Sequence, residues 1–433
     1  MKKQKTALNR QFRKLSIQER IDALLEAGYL DEAEHAVWSQ ERQLLSTAAA
    51  NRMIENVIGR FALPEGVAIN FPVNNTLYQI PLVVEEPSIV AALSFAALLA
   101  EKGGGFQAST DEPILIGQVQ LVGLNKIDYA QKQIEQQREK ILACVNDCMP
   151  RMLARGGGAR ELSSHSIQGE VSGEKMLIVH IHIDTRDAMG ANLVNTACET
   201  VAPLLETITG GRAVLKILSN LADRALARAS VKFSPQLLGS KNWPGEMVRD
   251  RIVLANDFAL ADPYRATTHN KGIMNGIDAV ALATGNDWRS IEAAAHAYAA
   301  RSGQYRALTQ WRVDSNGDLV GEIELPIKVG IIGGSLQTNP AVASNQKLLG
   351  VCSAVELAGL MAAVGLAQNF AALRALASSG IQQGHMTLHA RSVALAANTP
   401  EHLFDIVVKR LVEEGDIKVW KAEAIIKELT QHR

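Results

Sequence analysis

The chain is predicted to be an α+β protein: a large, mostly helical domain, interrupted by a small β-α-β-β-α-β unit and followed by a helical tail. Three observations predict this. Residues 114–218 alternate strand and helix patterns in that order. Beyond residue 220 helical periodicity dominates, with an alanine-rich, almost uncharged run at Leu348–Leu376 that reads as a central buried helix. The last stretch opens on two glycines, Gly380 and Gly384, and ends in charged amphipathic helices. At 433 residues the chain exceeds one ordinary core, so several domains are expected. Their boundaries read as 1–112 and 220–377 for two parts of one large domain, 113–219 for the small one, and 378–433 for the tail.

Taken in order, Ser16-x-x-Glu19 is a capping box, so residues 16–28 should form a helix, with a second near Asp31–Leu45. The segment "EEPSIVAALSFAALLAEKGGGF" reads as a buried helix with Pro87 in its first turn and Gly103–Gly105 as its stop. Glu86 then lies at or beside the N-cap, where the helix dipole favours an ionised carboxylate. Ile114–Leu124 reads as a strand and Asp128–Asn146 as a helix. Strands Ala159–Ile167 and Met176–Asp184 flank the polar turn "QGEVSGEK". Helix Asn192–Thr209 stops at Gly210–Gly211, and a strand follows at Arg212–Leu218. This is the ferredoxin-like order, which by itself specifies no function. Further on, helices are expected at Leu221–Arg228, Asp278–Thr284 and Trp288–Arg301. Strands Tyr305–Val313 and Leu319–Leu325 surround the turn "DSNGD".

Composition narrows the function. A formal charge of −1 gives no blanket attraction to nucleic acid or anionic membrane, and 5% aromatic content supplies few stacking platforms for bases. The four cysteines, Cys144, Cys148, Cys198 and Cys352, form no CxxC pair, as in a reduced, cytoplasmic enzyme. The basic start "MKKQKTALNRQFRKLS" has no apolar h-region, so no secretory signal is expected. The apolar run Ile89–Ala100 is about half of what a membrane span needs. A soluble, intracellular protein is the expectation.

The usual catalytic fingerprints are absent: no GxGxxG after a strand, no Walker lysine loop, no HExxH, no GxSxG. His180 and His182 share a strand face, but no carboxylate or thiol nearby suggests a metal site, and a structural role is favoured. His385 follows Gly384 at a helix start, where partial positive charge lowers an imidazole pKa. "DTRDAMGANLVN" (184–195) ends a strand, turns on Gly190 and starts a helix, so its amides could hold a pyrophosphate as readily as form an ordinary capped turn. In "THNKGIMNGIDAVALATGNDW", Lys271 sits beside a glycine, Asn275 follows one turn later and Asp287 closes the segment. A surface lysine is the plain reading of that stretch taken alone.

In combination the motifs are specific. "ENVIG" (55–59), "VEEPSIVAA" (84–92), "DAMGAN" (187–192), "LSNLAD" (218–223), "DPYRATTHNKGIMNGID" (262–278), "ATGNDW" (283–288), "GLAQN" (365–369) and "GHMTLHAR" (384–391) run in order along nearly the whole chain. With them the chain resembles the class II, soluble bacterial and archaeal form of 3-hydroxy-3-methylglutaryl-CoA (HMG-CoA) reductase. The resemblance implies reduction of HMG-CoA to mevalonate and CoA by two hydrides from NADH or NADPH, with no metal. It implies a large domain that binds CoA and substrate, a ferredoxin-like domain that binds the nicotinamide, and a C-terminal flap. The partner it implies is a second copy of the chain, in a homodimer with the active site at the interface, possibly in a trimer of dimers.

Residue by residue, the resemblance makes Lys271 the oxyanion stabiliser, Glu86 the proton donor, Asp287 the carboxylate that couples them and Asn275 the amide that keeps them in register. It makes His385 the acid that protonates the departing CoA thiolate. Ser88, Asn220, Arg265, Gln368 and Asn369 match contacts to the HMG moiety or CoA, and Arg13 a CoA phosphate contact. Asp187, Met189, Gly190 and Asn192 match the cofactor loop. Met149 stands where NADH-using members carry a ribose-binding aspartate, with Asp147 and Arg151 on either side, so the resemblance leaves NADH or NADPH open. Two rival readings fit the motifs less well. Another acyl-CoA enzyme on this scaffold would not need His385 with Lys271, Asp287 and Glu86. A non-catalytic ligand-binding module would not need the charged, glycine-flanked residues of the large domain.

Overall fold

The computed structural model describes residues 5–42, 44–333, 336, 338–378 and 381–431, with the side chains of 381–388 outside the described residues. The amino-terminal part holds α1 (Ile17–Glu26), α2 (Glu32–Ser39) and α3 (Thr47–Ala50). The Ser16–Glu19 capping box forms as expected, and Asp31 with Glu34 forms a second one at α2. Next come a hairpin, β1 (Glu65–Val73) and β2 (Thr76–Val83), then α4 (Ile89–Lys102) and β3 (Gln107–Thr110). The hairpin was not anticipated. Its turn residues Asn74 and Asn75 both adopt positive φ, as a tight hairpin turn requires.

The small unit contains β4 (Ile114–Val122), α5 (Ile127–Gln136), α6 (Arg138–Asp147), α7 (Pro150–Leu153), β5 (Gly158–Gln168), β6 (Lys175–Asp184), α8 (Ala191–Thr209) and β7 (Arg212–Ser219). Its strands pair antiparallel in the order β5-β6-β4-β7, which is the ferredoxin-like arrangement. The predicted helix Asp128–Asn146 is two helices, because Gln137 (φ −104°, ψ 15°) breaks the helical backbone between α5 and α6. Leu115, Val119, Ile181, Cys198 and Val201 belong to a core made almost wholly of this unit's own residues.

The chain then returns to the large unit: β8 (Leu226–Phe233), α9 (Pro235–Leu238), α10 (Gly245–Ala261), α11 (Pro263–Ala283), α12 (Trp288–Ala299), β9 (Thr309–Val313), β10 (Leu319–Pro326), α13 (Pro340–Leu349) and α14 (Ala354–Ala377). The helix predicted at Leu221–Arg228 is replaced by a loop and β8. Ala227, Ala229, Val231 and Phe233 alternate inward along that strand, so period-two burial overrides helix-forming alanine and arginine. The predicted run Leu348–Leu376 is also divided: Gly350 (φ 72°) ends α13, and Ser353 caps α14 by accepting from Glu356 N.

Strands β3, β8, β10 and β9 form one antiparallel sheet, and α14 lies in the core beneath it, with Phe370 stacked on Phe233 at 4.0 Å and tilted against Trp311 at 5.7 Å. By length and composition α14 could cross a membrane, yet most of it is buried inside the protein. The tail comprises α15 (Ile381–Ala396), α16 (Phe404–Glu414) and α17 (Val419–Gln431), packed around its own cluster of Ala390, Val407, Leu411 and Ile425.

Candidate active site

The site begins with two elements that bring distant residues together. Asp262 caps α11 by accepting from Arg265 N at 2.7 Å, and Pro263 occupies the first turn, where its missing N–H costs nothing. Two turns on, Lys271 projects from α11 next to Gly272, and no atom lies within 4 Å of where a Cβ at Gly272 would stand. Gly276 does the opposite job: a Cβ there would press on Val364 at 3.0 Å and Gln368 at 3.2 Å, so its absence lets α11 lie against α14.

The second element is the link from β2 to α4. Pro87 lies ahead of the helix rather than in its first turn, because Ser88 adopts a left-handed conformation (φ 80°) and the helix starts at Ile89. Few non-glycine residues tolerate that backbone. The kink leaves Glu86 on the loop, two residues before the cap, facing α11. Lys271 Nζ donates to Glu86 Oε2 at 2.5 Å. Their side chains are 60% and 38% exposed, and an ion pair this open contributes only about 0–1 kcal/mol to stability. The pair is therefore poorly explained as a fold stabiliser.

Asn275 is half-buried one turn along α11 from Lys271. Asp287 is elsewhere. It caps α12, accepting from Ser290 N at 3.1 Å, and it lies past the end of α11. The part of α11 beyond Lys271, ending at Ala283, spans about 18 Å at the helical rise. The structure thus joins Lys271 to Glu86 but does not bring Asp287 to them within one chain. His385 lies in α15, and its side chain falls outside the described residues.

The predicted substrate contacts divide in two. Arg13, in a short turn at Phe12–Lys14, lines a cavity of about 820 Å³ together with Trp38, Ile69, Val90 and Phe95. Ser88 and the exposed Asn220 are at loop positions open to a ligand. Arg265, in the first turn of α11, is half-buried, and burial pulls its guanidinium below its ordinary value. Gln368 and Asn369 are buried on α14. Asn369 accepts from Trp311 Nε1 at 2.9 Å and contacts His269 Nε2 at 3.0 Å, and His269 contacts Thr309 Oγ1 at 2.6 Å. Burial, then Arg265, pushes the His269 imidazole down to about 3, so it stays neutral. Gln368 Oε1 has no hydrogen-bond partner among the described residues.

In the small unit, Gly190 (φ 91°) begins α8, whose first turn has neither a side-chain cap nor an acidic residue. Its free amides are suited to an anion. Nothing but Arg186 Nη2, at 3.9 Å, comes near the point where a Cβ at Gly156 would stand. Arg160 and Arg186 flank that glycine loop, both paired with the fully buried Asp184, at 3.3 and 3.4 Å. These features fit a dinucleotide pyrophosphate. Met189 is half-buried and Asn192 exposed in the same loop. Asp187 turns its carboxylate elsewhere, accepting from Ala354 N at 2.8 Å at the start of α14. Met149 packs into the small-unit core at 2% exposure instead of facing a ligand, whereas Asp147 and Arg151 are exposed.

The His180 and His182 rings contact Gln118 and Ser163. Among the described residues no group of three or more His, Cys, Asp or Glu is placed to hold a metal ion. Sequence reasoning overlooked one buried cation, Lys328, which donates to Ala188 O beneath the loop that leads into α8. Its only sequence signal is a lone charge in the apolar run "LPIKVGII".

Comparison with known proteins follows the same lines. The family profile described as Hydroxymethylglutaryl-coenzyme A reductase matches residues 16–390. The 3-hydroxy-3-methylglutaryl-coenzyme A reductase of Archaeoglobus fulgidus is 48% identical over 419 residues, covering 96% of this chain and 94% of the relative. The probable enzyme of that name from Borreliella burgdorferi is 39% identical over 365 residues, covering 84% and 82%. The solved structure of the Streptococcus pneumoniae reductase superposes with a TM-score of 0.83 at 42% identity, covering 97% of this chain and 99% of that one. A structure of the class II reductase from the same organism, bound to NADPH in open conformations, gives 0.82 at 44% identity, covering 85% and 99%.

Proposed function

Because the chain belongs to the hydroxymethylglutaryl-coenzyme A reductase family, we propose that it reduces HMG-CoA to mevalonate and CoA at a site built on Lys271 and Glu86. A bound reduced nicotinamide, NADH or NADPH, supplies the hydride for each of two steps. The Lys271 ammonium holds the thioester oxygen as it gains charge, a preorganised electrostatic role. The product of the first step, mevaldyl-CoA, breaks its C–S bond to give mevaldehyde and a thiolate, and His385 protonates that thiolate so the bond does not re-form. In the second step Glu86, once it has taken up a proton from solvent, gives it through Lys271 to the aldehyde oxygen as the second hydride arrives at carbon. Run backwards, with oxidised nicotinamide accepting both hydrides, the same groups would oxidise mevalonate and acylate CoA.

The observation that carries this reading is the Lys271–Glu86 contact, made by residues far apart in sequence and too exposed to matter much for stability. The cavity beside Arg13 would take CoA, with Ser88, Asn220, Arg265, Gln368 and Asn369 toward the acyl end. The loop of Asp187, Met189, Gly190 and Asn192 would seat the dinucleotide. The division into a large domain (1–112 and 220–377), a small domain (113–219) and a flap (378–433) belongs to the same reading, supported by the separate apolar clusters of these regions. Among the described residues the one helix long and apolar enough to span a membrane is mostly buried, which supports a cytoplasmic location as part of this reading.

Asp287 enters this site from a second copy. With α11 separating it from Lys271 in its own chain, a coupling role requires a homodimer in which each Asp287 reaches its partner's lysine. Exposed apolar side chains Leu254, Phe258 and Tyr264 of α10 and α11, and Ile54, Ile58 and Phe61 near "ENVIG", suit burial against that copy. The direct test mixes purified protein with HMG-CoA and each reduced nicotinamide while following the cofactor's absorbance. Oxidation matched by release of free thiol is expected, and a folded sample that oxidises neither cofactor would overturn the reading.

A further inference from the structure

Lys328 is a cation set in the core. It follows β10, is 5% exposed, and donates to Ala188 O at 2.7 Å and Val329 O at 3.1 Å. The residues after it are joined to the cofactor loop: Ile331 N donates to Asp187 O at 2.9 Å, and a Cβ at Gly330 would lie 2.5 Å from Met189 N. Gly330 N in turn donates to Asn286 Oδ1 at 2.8 Å, next to Asp287. The segment 327–332 therefore connects the cofactor loop to the carboxylate at the head of α12.

Two carboxylates act on this amine, and a third lines the void beside it. Asp184 at the end of β6 is already shared by Arg160 and Arg186. Asp187 is occupied by Ala354 N. Asp111, paired with Arg228, lines the same small void as Lys328. Burial drives the amine down to about 7, the Asp184 and Asp187 charges opposing it, so its charge changes close to neutral pH.

We propose, resting on the cofactor-site reading above, that Lys328 is a positioning residue for the dinucleotide, bracing the Ala188–Met189 peptide from beneath, and that cofactor binding draws a proton onto it. An ammonium donating to Ala188 O makes a charge-assisted hydrogen bond and sets positive charge beneath the amides at the head of α8, where an anion would lie. The neutral amine keeps the hydrogen bond but loses the charge. Because the protonated form binds an anion more tightly, binding must in turn favour protonation, and affinity must fall as pH rises through neutrality.

Calorimetric titration of the full-length protein with NADPH and with NADH, in two buffers of different ionisation enthalpy, reads the proton directly. The wild type is expected to take up a fraction of a proton near pH 7.5, with affinity falling about 5-fold between pH 6.5 and 8.5. Lys328→Met should bind more weakly at the lower pH, show no uptake, and match the wild type above pH 8.5. Lys328→Arg, charged throughout, should bind tightly at both pH values without uptake. Binding by the wild type without proton uptake would overturn the proposal, as would equal uptake by wild type and Lys328→Met. If neither nicotinamide binds the folded wild type, the cofactor-site reading itself falls.

Discussion

Lys271 and Glu86 form an ion pair whose worth to the fold is small, so its loss should show in chemistry rather than in folding. Lys271→Ala is expected to reduce turnover by about 100-fold or more while CoA binding, followed by equilibrium titration, stays within about 2-fold. A variant that kept its turnover would remove Lys271 from the oxyanion role. His385→Gln should cripple reduction of HMG-CoA yet spare reduction of added mevaldehyde, since only the first substrate releases a thiolate. Equal loss on both substrates would end the thiolate-protonation assignment. At this scale the sequence was informative about identity and silent about distance. Lys271 and Glu86 carried their roles through motifs, but nothing in the spacing showed that they touch. By resemblance Met149 stands at the ribose-binding position, whereas its side chain is buried in the small-unit core.

Among the elements, the contact of α11 with α12 carries a titratable group that none of the motifs explain. Asp278 on α11 is largely buried, its Oδ1 has no hydrogen-bond partner among the described residues, and burial followed by the Glu292 carboxyl of α12 pushes it well above the ordinary carboxylate range. A carboxyl raised in this way is held neutral by the fold. Its contribution to stability is complete below the unfolded value and is lost as pH rises toward the raised one. Thermal melts of Asp278→Asn and wild type should therefore diverge in the variant's favour between about pH 5 and about pH 9. A constant difference across that range would mean that Asp278 is ionised in the fold. The elements best anticipated were those with period and punctuation in agreement, such as α1 with its capping box and α8 between its glycines. β8 was misread because alanine and arginine favour helices locally, while the packing of alternate residues against α14 decided the outcome. The β1–β2 hairpin carried an Asn-Asn turn signal that could have found it.

For the whole molecule, the length of α11 is the deciding quantity. Asp287 and Lys271 are held apart by a rigid helix, so the cooperation proposed between them would belong to the proposed dimer rather than to one chain. Mixed dimers of Lys271→Ala and Asp287→Ala subunits provide the check. Each parent should be inactive. Random reassortment should restore about a quarter of wild-type activity, since half the dimers are mixed and each has one intact site. No recovery from a preparation shown to contain mixed dimers would return Asp287 to a role within its own chain. The sequence alone pointed to a dimer only through family resemblance, because the exposure of Leu254, Phe258 and Tyr264 is visible only once α10 and α11 are folded.

One hydrogen bond has a mechanical consequence. Asp187 grips the first amide of α14, and the tail begins where α14 ends. That helix is about 36 Å long and is clamped by the core along most of its length. It is a strut with the loop proposed to seat the dinucleotide at one end and the helix that carries His385 beyond the other. Clamped in this way, it gives the loop and the tail one common footing in the core.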